Sequence, residues 1–296
     1  MRHYCTLSDI NYLPKLLVMY ESLKKHWSED FILYVLALDE ETLRALDDLD
    51  LQSATGIDIE YFKSEQMPYV SQRTWQEYCW TAASNLCQML LNQGVQFIDA
   101  LTYLDADLMF FSDPKVVFDE IGDRSIAVIP HRFIPSKRHL EVNGKFNVSW
   151  VTFKNDPIGR ECASTWAAQC REKCSATDGC GDQKYLDAWP AKYGHHLCVI
   201  EHIGAGLAPW NLANYKPMSL HWDGSDQLMI GIPFDNGVRG LVPVVFYHYH
   251  EFLWTEKSVR LTNYKLRNED IQLIYGPYLE AYKRAQDKIA SLHISA

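Results

Sequence analysis

The chain has 296 residues, of which 47% are hydrophobic, and this length suffices for one large α/β domain. Its formal net charge of -10 argues against a general nucleic-acid-binding protein, because affinity for a phosphate backbone comes from clustered lysines and arginines. No Gly/Ser-rich or Pro-rich linker divides the sequence, and no apolar run is long enough to span a bilayer.

The N-terminal residues and the cysteines indicate the compartment. Met1 is followed directly by a strand-like run, without the basic and apolar regions of a signal peptide. Eight cysteines are too few for a disulfide scaffold in a chain of this size, and Cys170, Cys174 and Cys180 lack the spacing of a zinc-binding Cys-x-x-Cys pair. We therefore expect a cytoplasmic protein with reduced cysteines and at most peripheral contact with a membrane.

The first third of the chain alternates predicted strands with predicted helices, which is the pattern of a parallel sheet. The predicted strands are Arg2–Leu7, Phe31–Leu38 and Ile57–Phe62. The predicted helices are Tyr12–His26, Glu40–Leu49 with Asp39 as N-cap, and Thr74–Asn92. Ligands of such sheets bind at the carboxyl ends of the strands, so we expect the site there.

The next predicted strand ends in two carboxylates. Residues 101–113 read LTYLDADLMFFSD, and Asp105 and Asp107 are two apart, so both side chains point to the same face. Paired anions among apolar residues carry a desolvation cost that a divalent cation can offset. The chain's other Asp-x-Asp, Asp48 and Asp50, ends a charged helical stretch and is interpreted as solvated. The sequence therefore predicts a metal site at Asp105 and Asp107.

Further elements follow the carboxylate strand. Asp113-Pro114 is predicted to begin a short helix, because Asp can cap a helix and Pro suits its first turn. From Ile271 onward the chain is predicted to be helical, with a break at Tyr275–Tyr278. Between these lie predicted strands at Ser125–Pro130 and Asn147–Phe153, helices at Asp156–Lys173 and Gly181–Trp189, and a β-rich segment at Trp222–Tyr249.

Six fragments occur in a specific order along the chain. They are CTLSDINY (residues 5–12), YLDAD (103–107), FNVS (146–149), GDQ (181–183), APWN (208–211) and FYH (246–248). Together they resemble the retaining GT-A glycosyltransferases of the glycogenin-like and lipopolysaccharide-galactosyltransferase-like family, over about residues 1–255. This resemblance implies an α/β, Rossmann-like GT-A catalytic domain at residues 1–270, with a helical tail at 271–296 packed on it.

The resemblance also implies a metal centre. Asp107 would bind the cation directly, Asp105 would bind it or the ribose, and His248 occupies the family's third-ligand position. An imidazole beside carboxylates suits Mn²⁺ better than Mg²⁺. A histidine in an apolar strand is more commonly a core residue, but His250 lies two residues on and therefore shares the face of His248.

The nucleotide would lie beside the first strand. The resemblance places Thr6, Asp9, Asn11 and Tyr12 around the base of a UDP-sugar, where an acceptor matches the uracil N–H and Tyr12 offers a stacking face. Alternatively, Asp9 caps the following helix. The family often has a lysine for the diphosphate six residues after the metal histidine, but this chain has Trp254 there. Lys257 and Arg73 are the substitutes we expect.

The sugar would lie beside five further residues. The resemblance assigns Asn147 to the sugar hydroxyls and the catalytic position beneath the anomeric carbon to Asp182 and Gln183. Trp210 and Asn211 would form part of the sugar-binding wall. Alternatively, Asp182 is an N-cap next to Gly181, and Trp210 packs in the core.

These assignments predict a metal-dependent hexosyltransferase with a nucleotide-sugar donor, a saccharide or glycolipid acceptor and no nucleic-acid partner. We expect retention at the anomeric carbon, with Glu251 and Asp223 as possible bases of an inverting enzyme. One alternative is a sugar-1-phosphate nucleotidyltransferase, although residues 7–14 lack its glycine-rich basic loop. Another is a catalytically inactive saccharide-binding protein on the same fold, against which the intact metal-site residues argue.

Overall fold

The structure is a computed structural model, and it describes residues 1–66, 73–92, 98–177, 179–222, 225–235 and 237–292. Within these residues a central sheet has seven strands in the order β3-β2-β1-β4-β7-β6-β8. Strands β3, β2, β1 and β4 run parallel to one another, whereas β7 is antiparallel to both β4 and β6. The first eight strands are β1 Arg2–Ser8, β2 Phe31–Ala37, β3 Ala54–Asp58, β4 Ala100–Leu104, β5 Leu108–Phe110, β6 Ile126–Pro130, β7 Phe146–Lys154 and β8 Leu197–Val199.

Helices cover both faces of this sheet. Neighbouring residues of β1, Tyr4 and Cys5, belong to different apolar clusters because side chains alternate along a strand. One cluster includes α1, α5 and α9, and the other includes α4 and α6. The helices are α1 Leu13–His26, α2 Glu40–Leu49, α3 Ile59–Gln66, α4 Trp75–Asn92, α5 Lys115–Ile121, α6 Pro157–Glu172, α7 Trp189–Tyr193, α8 Asn268–Asp270 and α9 Gly276–Ala290.

The prediction of a third strand at Ile57–Phe62 was partly wrong. Strand β3 lies earlier, and Asp58 at its end accepts a hydrogen bond from the Glu60 N–H at 2.6 Å. The chain then turns into α3, where Ile59 and Phe62 are buried. These two residues are three apart, so on a helix they share one face and both reach the core.

The second sheet has three antiparallel strands and follows the central sheet along the chain. It begins before the predicted β-rich segment. Its strands are β9 Lys216–Trp222, β10 Ser225–Phe234 and β11 Gly237–Pro243. Two short pairs complete the strands: β12 Phe246–His248, which pairs with β5, and β13 Leu253–Trp254, which pairs with β14 Val259–Arg260.

The C-terminal segment is helical as predicted, but it continues through the predicted break. A π-helical segment, Ile271–Tyr275, lies directly before Gly276 and Pro277. Proline interrupts the hydrogen-bond ladder of a helix, and a wider turn accommodates this without ending the helix. Helix α9 packs against α1 and buries Tyr278, Tyr282 and Ala285. In the described part of the chain, no helix has the length and hydropathy needed to cross a membrane.

Short 3₁₀ segments lie between several of these elements. The segment Pro135–Asn143 follows β6, and Asp182–Ala188 leads directly into α7. Two single turns, Gly194–His196 and Leu212–Asn214, precede β8 and β9.

Ser22 joins α1 to strand β5. Its hydroxyl donates to the Met19 carbonyl and accepts from the Phe110 N–H, both at 3.0 Å. Ser22→Ala leaves this buried N–H without that partner, so we expect the free energy of unfolding to fall by about 1–3 kcal/mol. Urea denaturation measures this loss. The control is Ser28→Ala, which removes an exposed hydrogen bond to Asp113. Equal midpoints for the two variants would contradict the role assigned to Ser22.

Candidate functional site

A cavity of about 710 Å³ opens at the carboxyl ends of β1 and β4. This is the edge of the sheet where the strand pattern predicts ligand binding. Most of the residues assigned to the site from the sequence line this cavity, namely Asp9, Asn11, Tyr12, Asp105, Asp107, Asn147, Asp182, Gln183 and His248.

Asp105, Asp107 and His248 converge in this cavity. The Nε2 atom of His248 lies 3.0 Å from Oδ1 of Asp107 and 3.8 Å from Oδ2 of Asp105. One ligand atom from each of the three residues lies within 4.8 Å of the others. Two carboxylates supply negative charge and the imidazole supplies a nitrogen donor, so this donor set fits a divalent cation.

Burial and the neighbouring charges shift the pKa values of this cluster in opposite directions. Burial raises the pKa of Asp105 to about 6, against the effect of His248 and with a contribution from Asp107. Burial also opposes ionisation of Asp107, but His248 and Lys15 outweigh it and hold its pKa below the ordinary value. Burial lowers and Asp107 raises the pKa of His248, and the net direction is upward. Two anions therefore share a poorly solvated space, which a cation would stabilise.

Backbone hydrogen bonds position these ligands. The Asp105 N–H donates to the Ser149 carbonyl at 3.3 Å, and the Asp107 carbonyl accepts from the Tyr249 N–H at 2.9 Å. In the pairing of β5 with β12, His248 lies opposite Leu108. The residue after Asp107 is therefore the partner of the histidine, although the two segments are far apart in sequence.

Trp210 packs against the cluster of Asp105, Asp107 and His248 from outside the cavity. Its ring lies edge-on to both His248 and His250, with centroids 5.3 Å apart in each case. Its indole N–H donates to the His131 carbonyl at 2.9 Å. Trp210 is buried and lies behind the imidazole rather than on the cavity wall, which agrees with the packing interpretation.

Asp9 orders the turn before α1. Its Oδ1 accepts from the N–H of Tyr12, the N-cap residue of α1, at 2.9 Å, so Asp9 bonds to the residue in the cap position and does not occupy that position itself. Its Oδ2 accepts from the Trp75 indole N–H at 3.3 Å. Trp75 lines the cavity, is 53% exposed and stacks on Tyr78. The sequence interpretation missed Trp75, because the sequence shows a tryptophan at the start of a predicted helix but not its exposure.

Asp182 is buried at the start of the 3₁₀ segment, with Gly181 in the N-cap position. Its Oδ1 accepts from the Gln183 N–H at 2.8 Å. Burial, with added contributions from Cys174 and Asp105, raises the pKa of Asp182 well above its ordinary value. The Gln183 amide donates to the Asn143 carbonyl at 3.0 Å. Both side chains are therefore held in place at the cavity wall.

Some of the assigned residues lie elsewhere or use their polar groups internally. Asn147 lines the cavity, but its amide contacts His131 at 3.2 Å and accepts from the Ser149 N–H. Thr6 is fully buried within β1. Asn211 is also fully buried, and its amide donates to two backbone carbonyls, those of His131 and Gly206.

The described residues proposed to bind the diphosphate or to act as a base do not line the cavity. Lys257 is exposed between β13 and β14. Arg73 donates to the Thr81 hydroxyl and the Arg171 carbonyl. Glu251 accepts from the Asn263 N–H and does not line the cavity. Asp223 lies outside the described residues.

Lys15 is a second residue that the sequence interpretation missed. Its Nζ lies 3.9 Å from Oδ2 of Asp107 and 3.8 Å from the centroid of the Tyr12 ring. Burial lowers the pKa of Lys15, against the effects of Asp107 and Asp9. Lys15 is followed three and four residues later by Val18 and Met19, so its side of the predicted helix is also apolar. This was the available signal, because lysine is rarely buried without a partner.

Comparisons with known proteins give two relatives and a fold. The Bacillus subtilis (strain 168) protein YfnD, described as uncharacterized, is 31% identical over 302 residues, covering 98% of this chain and 91% of YfnD. YfnF of the same organism, also described as uncharacterized, is 28% identical over 258 residues, covering 83% of this chain and 80% of YfnF. No family model matches the chain.

Among solved structures, the galactosyltransferase LgtC in complex with donor and acceptor sugar analogs aligns with a TM-score of 0.55. The alignment covers 95% of each chain at 14% identity. The predicted GT-A fold is therefore confirmed.

Loss of one carboxylate tests the metal cluster. We expect Mn²⁺ to bind the wild-type chain, and we expect Asp107→Asn to weaken this binding at least about tenfold, since even partners of metal ligands have effects of that size. Isothermal titration calorimetry with Mn²⁺ alone measures both affinities. The matched control is Asp48→Asn in the exposed Asp-x-Asp of α2, which should bind as the wild type does. Equal affinities for Asp107→Asn and the wild type would rule out this ligand.

Proposed function

We propose that this chain, which belongs to the family of the Bacillus subtilis protein YfnD and has the GT-A fold, is a metal-dependent glycosyltransferase. It transfers a hexose from a nucleoside diphosphate sugar to a hydroxyl of a saccharide or glycolipid. The observation that carries the proposal is the convergence of Asp105, Asp107 and His248 in a cavity that also contains Asp182 and Gln183.

Asp105, Asp107 and His248 are the residues that hold the cation, and their mixed oxygen and nitrogen donors favour Mn²⁺. When bound, such a cation supplies Lewis-acid stabilisation of the negative charge on a leaving diphosphate. His248 must be unprotonated at Nε2 to act as a ligand. Its Nε2 faces the carboxylates, and Trp210 and the β12 backbone hold the ring in this orientation.

The donor base is proposed to be uracil, held near the start of α1. Asp9 and Asn11 present acceptor and amide groups to the cavity, and the Tyr12 ring is 43% exposed. Uracil has an N–H donor between two carbonyl acceptors, so a carboxylate beside an amide matches its edge. Trp75 already occupies one Asp9 oxygen, which limits the positions open to a base.

Asp182 and Gln183 are proposed to act beneath the donor sugar. The bond from the anomeric carbon to the phosphate oxygen breaks, and the new bond forms to the acceptor oxygen, whose proton passes to the leaving phosphate on the same face. A carboxylate at Asp182 or the amide oxygen of Gln183 stabilises positive charge at the anomeric carbon. Burial of Asp182 reduces screening by water but also raises its pKa, and positive charge at the anomeric carbon favours the ionised carboxylate.

Nucleotide preference tests the donor assignment. We expect UDP to bind more tightly than GDP when Mn²⁺ is present, because the guanine edge differs from the uracil edge that Asp9 and Asn11 match. Calorimetry with both nucleotides at saturating Mn²⁺ measures the difference. Equal or tighter GDP binding would remove the argument for uracil.

Removal of the metal tests the metal dependence. Transfer activity should disappear in EDTA and return with Mn²⁺. Full activity in EDTA would contradict a metal-dependent mechanism.

Product stereochemistry tests the catalytic assignment. We expect an α-linked donor to give an α-linked product, and we expect Asp182→Ala to lower turnover at least about a hundredfold, as for loss of one electrostatic stabiliser. NMR of the fresh product and steady-state kinetics are the measurements. Asp187→Asn is the control on the same 3₁₀ segment, since that carboxylate bonds to Lys145 and Lys184 outside the cavity. A β-linked product would direct the search to a base such as Glu251.

A further inference from the structure

Lys15 provides a positive charge beside the metal cluster. Its Nζ lies 3.9 Å from Asp107 Oδ2. Among the described residues, no other lysine or arginine forms an ion pair within 4.0 Å of Asp105 or Asp107. The two side chains are only 6% and 9% exposed. An ammonium that is so poorly solvated interacts strongly with every charge placed nearby.

Within the part of the chain that the structure describes, this ammonium donates no hydrogen bond to a protein group. A separation of 3.9 Å is too long for a hydrogen bond, and the other close contact of Nζ is with the face of Tyr12. An ammonium has three donors, so Nζ can donate to further acceptors. Helix α1 fixes its position, because Leu13, Leu16 and Leu17 on the same helix are fully buried.

A cation held by Asp105, Asp107 and His248 would share Asp107 with Lys15. The two positive charges repel each other, so Lys15 opposes binding of the cation alone. A diphosphate carries negative charge and many acceptor oxygens, so in its presence the cation and the ammonium both gain a partner. The effect of Lys15 therefore reverses sign when the diphosphate enters.

We propose that Lys15 is a positioning residue that couples the cation to the donor diphosphate: it weakens binding of the metal alone and strengthens binding of the nucleoside diphosphate with the metal. This inference rests on the proposed function. Lys15 takes the place of Arg73 and Lys257 as the expected basic partner, because Arg73 donates to Thr81 and neither Arg73 nor Lys257 lines the cavity.

The test is a pair of titrations on the full chain. Lys15→Met removes the charge and keeps a flexible apolar side chain in the buried position. Calorimetry measures the affinity for Mn²⁺ alone and then for UDP at saturating Mn²⁺. We expect Lys15→Met to bind Mn²⁺ at least threefold more tightly than the wild type does, and to bind UDP at least tenfold more weakly. Lys15→Arg, which keeps the charge, should bind Mn²⁺ alone as weakly as the wild type does.

The control is Lys24→Met on the same helix, where the exposed Nζ lies 5.9 Å from the Tyr20 ring. Both of its affinities should equal those of the wild type. If Lys15→Met leaves UDP affinity unchanged, or lowers both affinities together, the coupling is refuted while the proposed function stands. If the wild type binds no UDP with Mn²⁺ present, the proposed function fails and this inference fails with it.

Discussion

The pairing of β12 with β5 is the interaction on which the candidate site depends. It places His248 opposite Leu108 and joins the Tyr249 N–H to the Asp107 carbonyl at 2.9 Å. Aromatic packing behind the two strands, with the Phe110 and Phe246 centroids 5.6 Å apart, keeps this pair in place. A loss of this pairing would separate the imidazole from the carboxylates, and the cluster would lose a ligand. The core on this side of the sheet therefore serves the site directly.

The second constraint is electrostatic. Two carboxylates, an imidazole and an ammonium share a region with little solvent, and their pKa values shift in opposite directions. Such an arrangement costs stability in a chain with no ligand, because burial penalises each charge and the protein compensates only in part. Perturbed groups gathered in a cavity are characteristic of functional sites, since bound ligands supply the missing charge balance. The proposed cation and diphosphate complete this balance.

Local signals in the sequence predicted much of the fold. Asp39 does cap α2, which begins and ends where the pattern places it, and Asp105 and Asp107 do follow a buried strand. Long-range contacts were less accessible. The position of His248 came only from the family resemblance, because its pairing with β5 depends on the tertiary fold. The internal hydrogen bonds of Asn211 and the buried position of Lys15 likewise depend on packing between distant segments.

We infer that this cavity binds a nucleotide sugar through a metal held by Asp105, Asp107 and His248. A thermal-shift screen of UDP-sugars and GDP-sugars, with Mn²⁺ or with EDTA, tests it most directly, because a ligand raises the melting temperature only if it binds the folded chain. We expect a rise in melting temperature with UDP-sugars that requires Mn²⁺ and is absent in Asp107→Asn. No shift with any nucleotide sugar in Mn²⁺, or an equal shift in EDTA, would contradict it.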